Sequence, residues 1–233
     1  MGMVELRNVS RIYENGGHAV YALREVSFTV EPGEFTVILG PSGAGKSTLL
    51  NILGGIDRAD KGSVKVAGEE VTVLTEKEMS LYRARRVGFV FQFYNLIPTL
   101  TVQENVGLMR ELKKEALPAE DVLNKLGLRG QGRKFPGQLS GGEQQRVSIA
   151  RAIAKNPDIL LCDEPTGALD SETGCMVLEE LQKLCREEGK TILIVTHNAS
   201  IAKAADKVIR IKNGAVRDVE VNPRPLKISE VDW

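Results

Sequence analysis

The sequence predicts an α/β fold in which helices cover both faces of a mostly parallel sheet. Continuous apolar runs at residues 159–162 and 192–195 have the length of strands that are buried on both faces. Helical patterns alternate with these runs, as parallel strands require. A glycine-rich loop also joins a short strand to a helix near residue 40. The length of 233 residues allows one large domain or two small ones.

The N-terminal part predicts an antiparallel unit that leads into the first buried strand. Apolar and polar residues alternate over residues 3–9, and Asn15-Gly16-Gly17 is typical of a hairpin turn. The predicted elements of this part are strands at 3–9, 25–30 and 35–39, a helix at 46–53, and strands at 63–67 and 87–91.

The middle of the chain predicts an insertion of helices. Residues 101–130 are charged and have leucines at helical spacing, and a second helix begins after residues 140–142. The elements expected after Pro157 are strands at 159–162, 191–196, 208–211 and 215–219, with helices at 172–187 and 200–205. The tail, residues 220–233, contains two prolines and ends in Trp233, and we expect it to lie along the surface.

Composition excludes several classes of protein. Lysine and arginine number 31, as do aspartate and glutamate, so the chain is not a polycation that coats nucleic acid. No apolar run approaches the roughly 18 residues that span a bilayer, and the N-terminus has no signal-peptide pattern. The three cysteines have no metal-binding spacing, which favours reduced thiols in a cytosolic protein.

Residues 40–47 match the phosphate-binding pattern G-x-x-x-x-G-K-[ST], with a strand before the loop and a helix after it. Glycines let successive backbone N–H groups turn towards a phosphate, and the helix N-terminus adds positive potential. Lys46 is placed to reach the β- and γ-phosphates, and the Ser47 hydroxyl to bind Mg²⁺. A chance match is the alternative, and the strand–loop–helix context disfavours it. The candidate nucleotide-binding residues here are Gly40, Pro41, Ser42, Gly43, Ala44, Gly45, Lys46, Ser47 and Thr48.

Two acids follow a predicted buried strand. Asp163 at the strand end is suited to hold Mg²⁺, and Glu164 is suited to polarise an attacking water molecule. Paired acids after a strand are otherwise common in solvated loops. Their occurrence together with a phosphate-binding loop favours the catalytic interpretation.

One stretch indicates which class of phosphate-binding protein the chain resembles, namely Leu139-Ser140-Gly141-Gly142-Glu143. It resembles the LSGGQ signature of the ATP-binding cassette (ABC) ATPases, with Glu143 where glutamine is more usual. Further motifs of this family follow in the expected order: Tyr13 for adenine stacking, Gln92 of the Q-loop, Gly167-Ala168-Leu169-Asp170 of the D-loop, and His197 as the switch histidine. Tyr21 is a rival to Tyr13 for the adenine.

This resemblance implies a P-loop NTPase RecA-like core with an N-terminal antiparallel β subdomain and an inserted α-helical subdomain. The core and β subdomain would comprise residues 1–91 and 157–219, the helical subdomain residues 92–156, and the tail residues 220–233. The expected cofactors are ATP and Mg²⁺, with Ser47, Gln92 and Asp163 around the metal.

The resemblance also implies a shared catalytic site. Two copies would enclose two ATP molecules, and Ser140, Gly141, Gly142 and Glu143 of one copy would face the ATP held by the other. The expected catalytic residues are Lys46, Glu164 as general base and His197 on the γ-phosphate. Asp170 would link the two sites, and Gln92 would report the state of the metal to the transport partner.

Residues 91–106 and 165–174 resemble the branch that contains macrolide-exporter and lipoprotein-release ATPases. Antimicrobial-peptide transporter ATPases belong to the same branch. The implied partner is a permease with a large extracytoplasmic domain, which would hold the chain on the inner face of the cell membrane. Tyr94, Leu96 and Ile97 would contact it, unless they only pack within the loop. The implied process is export, extraction or mechanotransmission.

Three other functions are less well matched by the sequence. A soluble ABC ATPase that acts on nucleic acid or ribosomes would carry coiled-coil inserts or two cassettes, so we expect no nucleic-acid partner. A regulator that binds ATP without hydrolysing it would lack a base such as Glu164. A kinase or GTPase would leave the Leu139–Glu143 stretch unexplained, and the chain has no N-K-x-D motif.

Overall fold

The computed structural model describes residues 2–113, 115–167 and 169–232, and the chain folds into two sheets and seven α-helices within these residues. Ala168 of the predicted D-loop and Trp233 of the tail lie outside the described residues. The elements are β1 (Val4–Asn15), β2 (His18–Val30), β3 (Phe35–Leu39), α1 (Lys46–Leu53), β4 (Lys61–Val66), β5 (Glu69–Glu70), α2 (Glu76–Arg85), β6 (Val87–Val90), α3 (Val102–Gly107), α4 (Met109–Leu112), α5 (Ala119–Lys125), α6 (Gly141–Ala154), β7 (Ile159–Asp163), α7 (Ser171–Glu188), β8 (Thr191–Thr196), β9 (Lys207–Lys212) and β10 (Ala215–Val221). Four 3₁₀ turns occupy Val71–Val73, Pro136–Gln138, Ala199–Ala204 and Ile228–Glu230.

The larger sheet has six strands in the order β10-β9-β3-β8-β7-β6. The pairs from β9 to β6 are parallel, and only β10 runs antiparallel to its neighbour. The loops after β3, β7 and β8 therefore leave the sheet at the same edge, where α/β folds place their ligand sites. The predicted α/β fold with a parallel sheet is confirmed.

Both faces of the larger sheet are covered, which explains the continuous apolar runs. Phe35, Val37 and Leu39 of β3 enter one hydrophobic cluster, whereas Ile38 enters the other. The helical core lies on the first face and includes Val102, Val106, Val122, Leu123, Val147, Ile149, Val177, Leu178 and Leu181. The β-side core lies on the second face and includes Val4, Leu6, Leu23, Val26, Leu49, Leu50, Val64 and Tyr82.

The smaller sheet is antiparallel, with strands in the order β2-β1-β4-β5. The hairpin predicted at residues 15–17 is present, since Asn15 pairs with His18. The second strand begins at His18, earlier than the residue 25 expected from the sequence. The β1–β2 pairing is shifted at three points, so these long strands can curve over the core.

The predicted helical stretch at residues 101–130 is divided into the short helices α3, α4 and α5. Thr101 and Glu104 form a reciprocal capping box that begins α3. Pro118 immediately precedes α5, because a proline favours the first positions of a helix over its interior. Helix α2 is a further element that was not predicted from the sequence, and Thr75 with Glu78 forms its capping box.

Most of the tail is exposed, as expected for a segment that lies along the surface, but two of its residues are buried. Ile228 and Val231 are buried and join the helical core. The Ile228 backbone N–H donates to Oε1 of Gln182 on α7 at 3.1 Å, and Gln182 Nε2 donates to the Leu226 carbonyl at 3.0 Å. The tail is fixed against α7 because two of its apolar side chains are buried. The two prolines had suggested a segment without such contacts.

No helix in the described ranges is both long enough and apolar enough to cross a membrane.

Candidate nucleotide-binding site

The loop between β3 and α1 is shaped by glycines that no larger residue could replace. A Cβ atom on Gly40 would collide with the Ile211 carbonyl oxygen, and one on Gly45 would collide with the Ala22 carbonyl oxygen. Gly45 also has a φ of 99°, in the left-handed region that glycine favours. The loop is thus packed against neighbouring backbone at the N-terminus of α1, a position that favours a bound phosphate.

Lys46 lies over this loop. Its side chain is 7% exposed, and Nζ donates to the carbonyl oxygens of Gly40 at 2.8 Å and Pro41 at 3.0 Å. A phosphate in the loop would offer this ammonium group stronger, charged acceptors than the two carbonyls. The lysine is therefore already held beside the position that a phosphate would occupy.

Ser47 and Asp163 come together from α1 and the end of β7. Ser47 Oγ donates to Asp163 Oδ1 at 3.2 Å. Burial raises the pKa of Asp163 and the nearby Glu164 charge adds to this, while the Ser47 hydrogen bond and the Lys46 charge act in the opposite direction. Hydroxyl, carboxylate and amide oxygens are the ligands that Mg²⁺ prefers, and Gln92 lines the same cleft. The residues present fit a magnesium ion that is completed by nucleotide phosphates.

Glu164 is held between the ends of two neighbouring strands. Its Oε2 accepts a hydrogen bond from Thr196 Oγ1 at 3.1 Å, and its Oε1 lies 3.0 Å from His197 Nδ1. Its backbone N–H donates to the Val195 carbonyl, and its φ of 46° is unusual for a non-glycine residue. Such strained backbone is concentrated at functional sites. Sequence reasoning missed Thr196, although it directly precedes His197.

These groups share one open cleft of about 450 Å³ at the carboxyl edge of the sheet. Its lining residues are Val20, Tyr21, Ala22, Ser42, Gly43, Gly45, Lys46, Ser47, Thr48, Gln92, Asp163, Glu164 and His197. The structure therefore brings together most of the predicted phosphate, metal and catalytic residues, whereas Gly40, Pro41 and Ala44 of the predicted loop do not line the cleft. Val20 and Ala22 were not expected from the sequence; only the fold places this strand beside the loop.

The predicted signature residues lie elsewhere, at the N-terminus of α6. Ser140 caps the helix, because its Oγ accepts from the Glu143 N–H while Glu143 Oε2 accepts from the Ser140 N–H at 2.8 Å and from its hydroxyl at 2.9 Å. These hydrogen bonds lower the pKa of Glu143. Ser140 and Gly141 are exposed. None of residues 140–143 lines the cleft of its own chain as described above.

Asp170 is likewise outside the cleft and caps α7. Its Oδ1 accepts from the Thr173 N–H at 2.9 Å, and its Oδ2 accepts from the Thr173 hydroxyl at 2.8 Å. The exposed N-termini of α6 and α7 therefore present Ser140 and Asp170 on the surface of the chain.

Comparison with known proteins assigns the chain to a family. The sequence model described as ABC transporter matches residues 23–167, which is more than half of the chain. The chain belongs to the ABC transporter family. It is an ATP-binding subunit and an ATPase of that family.

Relatives of this ABC ATPase come from bacteria and archaea. An uncharacterized ABC transporter ATP-binding protein of Mycobacterium tuberculosis, Rv0986, is 47% identical over 217 residues, which are 91% of this chain and 88% of the relative. The macrolide export ATP-binding/permease protein MacB of Mannheimia succiniciproducens is 45% identical over 223 residues, which are 94% of this chain and only 34% of MacB.

A solved structure covers nearly the whole ABC ATPase. The ATP-binding cassette MJ0796, from Methanocaldococcus jannaschii, has a dimeric structure in a post-hydrolysis state with bound ADP and Pi. It is similar to this chain with a TM-score of 0.87 and 42% identity, over 94% of this chain and 98% of that one. The RecA-like ABC ATPase fold implied by the sequence motifs is confirmed.

Two tyrosines remain candidates for the adenine of ATP. Tyr21 lines the cleft, whereas Tyr13 lies opposite Val20 in the β1–β2 pairing and so shares the face of a cleft-lining residue. The Tyr13 hydroxyl donates to Asp57 Oδ2 at 2.6 Å, and the Arg11 guanidinium lies 4.6 Å from its ring centroid. One face of the Tyr13 ring is thus covered by Arg11, while 38% of the residue is exposed.

Proposed function

We propose that this ABC ATPase closes with a second copy of itself around two Mg-ATP molecules and drives a membrane permease. The observation that carries the proposal is the division of the phosphate-binding groups within one chain. The P-loop, Asp163, Glu164 and His197 share one cleft. The Ser140–Gly142 segment stands apart at an exposed helix N-terminus, where a phosphate of a second chain can reach it.

Different residues of the cleft would bind the phosphates and the metal ion of Mg-ATP. The backbone of Gly40–Thr48 would enclose the phosphates, and Lys46 would exchange its two carbonyl acceptors for phosphate oxygens. Ser47, Gln92 and Asp163 would hold Mg²⁺. The ion, when bound, would neutralise negative charge on the phosphate oxygens.

Glu164 would act as the general base for the attacking water. Thr196 and His197 hold both of its carboxylate oxygens, and these two contacts fix the direction of the carboxylate. A positioned base of this kind contributes about 10²–10⁴ in rate. His197, whose side chain is 68% exposed, can turn from Glu164 to the γ-phosphate when the site fills.

The second chain would supply the remaining contacts. Ser140, Gly141 and Gly142 would meet the γ-phosphate of the partner's ATP, and Glu143 would keep Ser140 in place through the capping box. Asp170 would lie between the two sites. The resemblance to the dimeric MJ0796 cassette supports this arrangement.

A permease partner is proposed from the relatives and from the exposed surface near Gln92. MacB is named as an ATP-binding and permease protein, and this chain corresponds to about a third of its length. Of the three residues expected to contact the permease, Ile97 is exposed, Tyr94 is half-buried, and Leu96 packs against the helical core. Ile97 and the exposed Phe93 would contact the permease at the inner face of the membrane. The process would be export, extraction or mechanotransmission. We assign residues 92–156 to the helical subdomain that adjoins this surface.

The test is gel filtration of Glu164→Gln with and without Mg-ATP, together with ATPase rates of the same proteins. We expect the variant to be a monomer without ATP, to become a dimer with it, and to lose turnover by about 10²–10⁴. Glu187→Gln makes the same change of charge at an exposed position on α7 and should keep wild-type turnover. A Glu164→Gln protein that stays monomeric with ATP and hydrolyses it normally would contradict both the base and the shared site.

A further inference from the structure

The N-termini of α6 and α7 are in direct contact within one chain. A Cβ atom on Gly142 would collide with Thr173 Cγ2, and its ideal position is 3.4 Å from Thr173 Cβ and 3.5 Å from Thr173 Oγ1. The methyl group of Thr173 therefore rests on the backbone of Gly142. Gly142 has no left-handed φ, so this contact, rather than backbone conformation, accounts for the glycine.

Thr173 also holds Asp170. Its hydroxyl donates to Asp170 Oδ2 at 2.8 Å, while its backbone N–H donates to Oδ1 at 2.9 Å. These two bonds lower the pKa of Asp170, so the carboxylate is charged at neutral pH. One side chain thus touches the segment of residues 139–143 through its methyl group and Asp170 through its hydroxyl.

Asp170 is in turn a short distance along the chain from Glu164. The Gly167 N–H donates to the Glu164 carbonyl at 3.0 Å, and the Leu169 N–H donates to the Thr166 carbonyl at 3.1 Å. The ideal Cβ position of Gly174, on α7, lies 3.5 Å from Thr166 Cβ. These two hydrogen bonds and the contact between Gly174 and Thr166 link the base to the start of α7.

We propose that Thr173 is a positioning residue that couples the two ATP sites by joining the Gly142 backbone to the Asp170 carboxylate. The inference rests on the proposed function, because Gly142 then meets the partner's ATP while Glu164 serves the chain's own ATP. Binding of the partner's γ-phosphate fixes Gly142, Gly142 fixes the Thr173 methyl, and the Thr173 hydroxyl fixes Asp170 and the turns that lead to Glu164.

Two conservative variants separate the two ends of this contact. Thr173→Val keeps a methyl group against Gly142 and removes the hydroxyl that binds Asp170. Thr173→Ser keeps the hydroxyl and removes the methyl group. The Thr173 N–H bond to Asp170 survives in both, so the α7 cap is retained. Ser171→Ala, in the same turn of α7, is the matched control.

The first measurement is ATP-driven dimerisation in the Glu164→Gln background, by gel filtration over a range of Mg-ATP concentrations. We expect each Thr173 variant to raise the ATP concentration at half-dimerisation by roughly three- to tenfold, the effect of losing one hydrogen bond or one packed methyl group. Binding of a fluorescent ATP analogue to the monomer should not change, because Thr173 does not line the cleft. Ser171→Ala should match its parent in both assays.

The second measurement is the ATP dependence of hydrolysis with Glu164 intact. We expect the Hill coefficient to fall towards 1 in Thr173→Val and Thr173→Ser, while Ser171→Ala keeps the wild-type value. A role limited to stability would lower the melting temperature and leave the Hill coefficient unchanged. That result, or unchanged dimerisation in both Thr173 variants, would overturn the coupling and leave the proposed function standing. A parent Glu164→Gln protein that never dimerises would overturn both proposals.

Discussion

At the scale of single residues, the polar groups of the cleft are hydrogen-bonded to neighbouring protein groups. Lys46 donates to two carbonyls, Ser47 donates to Asp163, and Glu164 is shared by Thr196 and His197. Each of these bonds satisfies a buried or half-buried group that would otherwise be costly to desolvate. Under the proposed function, phosphate oxygens would replace the two carbonyl acceptors of Lys46.

Tyr13 offers the first test at this scale. We expect Tyr13→Ala to raise KM for ATP by roughly three- to tenfold, because stacking of one aromatic pair contributes about 0.5–1.5 kcal/mol. The value of kcat should change little, since a ring that stacks on the adenine would contribute to binding and not to the reaction at the phosphates. Tyr13→Phe keeps the ring and removes the hydroxyl that donates to Asp57, so its KM should lie near the wild-type value.

Tyr21→Ala is the matched comparison for this assignment, and steady-state hydrolysis over a range of ATP concentrations measures all three variants. If Tyr21→Ala raises KM and Tyr13→Ala does not, the adenine stacks on the cleft-lining Tyr21 instead.

At the scale of elements, a lysine just after α6 joins that helix to α2 and β6. Lys155, which follows α6, donates through Nζ to the carbonyls of Arg83 on α2 at 2.9 Å and of Val87 on β6 at 2.7 Å. These acceptors are backbone groups at the end of a helix and the start of a strand, which a cation satisfies well. Its ammonium group is nevertheless partly removed from water.

Stability should therefore depend on pH through Lys155. Burial lowers its pKa to about 8, and the charges of Lys113, Arg151 and Arg83 add to the effect. Between about pH 8 and the usual lysine pKa of about 10.4, the unfolded chain holds a proton that the folded chain has lost, so stability rises with pH in this window. Below about pH 8 both states are charged at this position, and the contribution is constant.

The measurement is urea unfolding between pH 7.5 and roughly pH 10 for wild type, Lys155→Gln and the exposed control Lys212→Gln. Wild type and Lys212→Gln should gain stability across the window relative to Lys155→Gln. Identical pH dependence in all three proteins would show that Lys155 keeps its proton in the folded state.

The elements also separate what a sequence can predict from what it cannot. The P-loop, the acids after β7 and the start of α6 were predicted because each depends on residues that are adjacent in the chain. Helix α2 was missed because only Met79 and Tyr82 of its ten residues are buried, which leaves too weak an apolar pattern.

Contacts between elements could not be predicted from the sequence. Nothing in the sequence distinguishes Thr173 from other residues in the first turn of a helix. Only the packing of α7 against α6 places it on Gly142. The cleft position of Val20 depends in the same way on the course of β2 over the P-loop. Local sequence motifs identified most of the functional residues, and tertiary packing determined which of them are in contact.

At the scale of the whole molecule, the central sheet separates two cores, and the tail completes one of them. Residues of α7 contribute one side of the helical core, including Val177, Leu178 and Leu181. Ile228 and Val231 close this core from outside, and Gln182 fixes the tail by hydrogen bonds. The same helix begins at Asp170, so the tail stabilises the element that carries the proposed coupling residue.

Substitution of Ile228 tests this arrangement. Its side chain is fully buried, so Ile228→Ala should lower the free energy of unfolding by about 2–5 kcal/mol through lost burial and a residual cavity. Leu226→Ala removes a similar side chain that is 39% exposed in the same tail, and should cost far less. Chemical unfolding of the two variants and wild type makes the comparison. Equal stabilities would mean that the tail does not pack on α7 in solution, and α7 would then be held only by the sheet and the neighbouring helices.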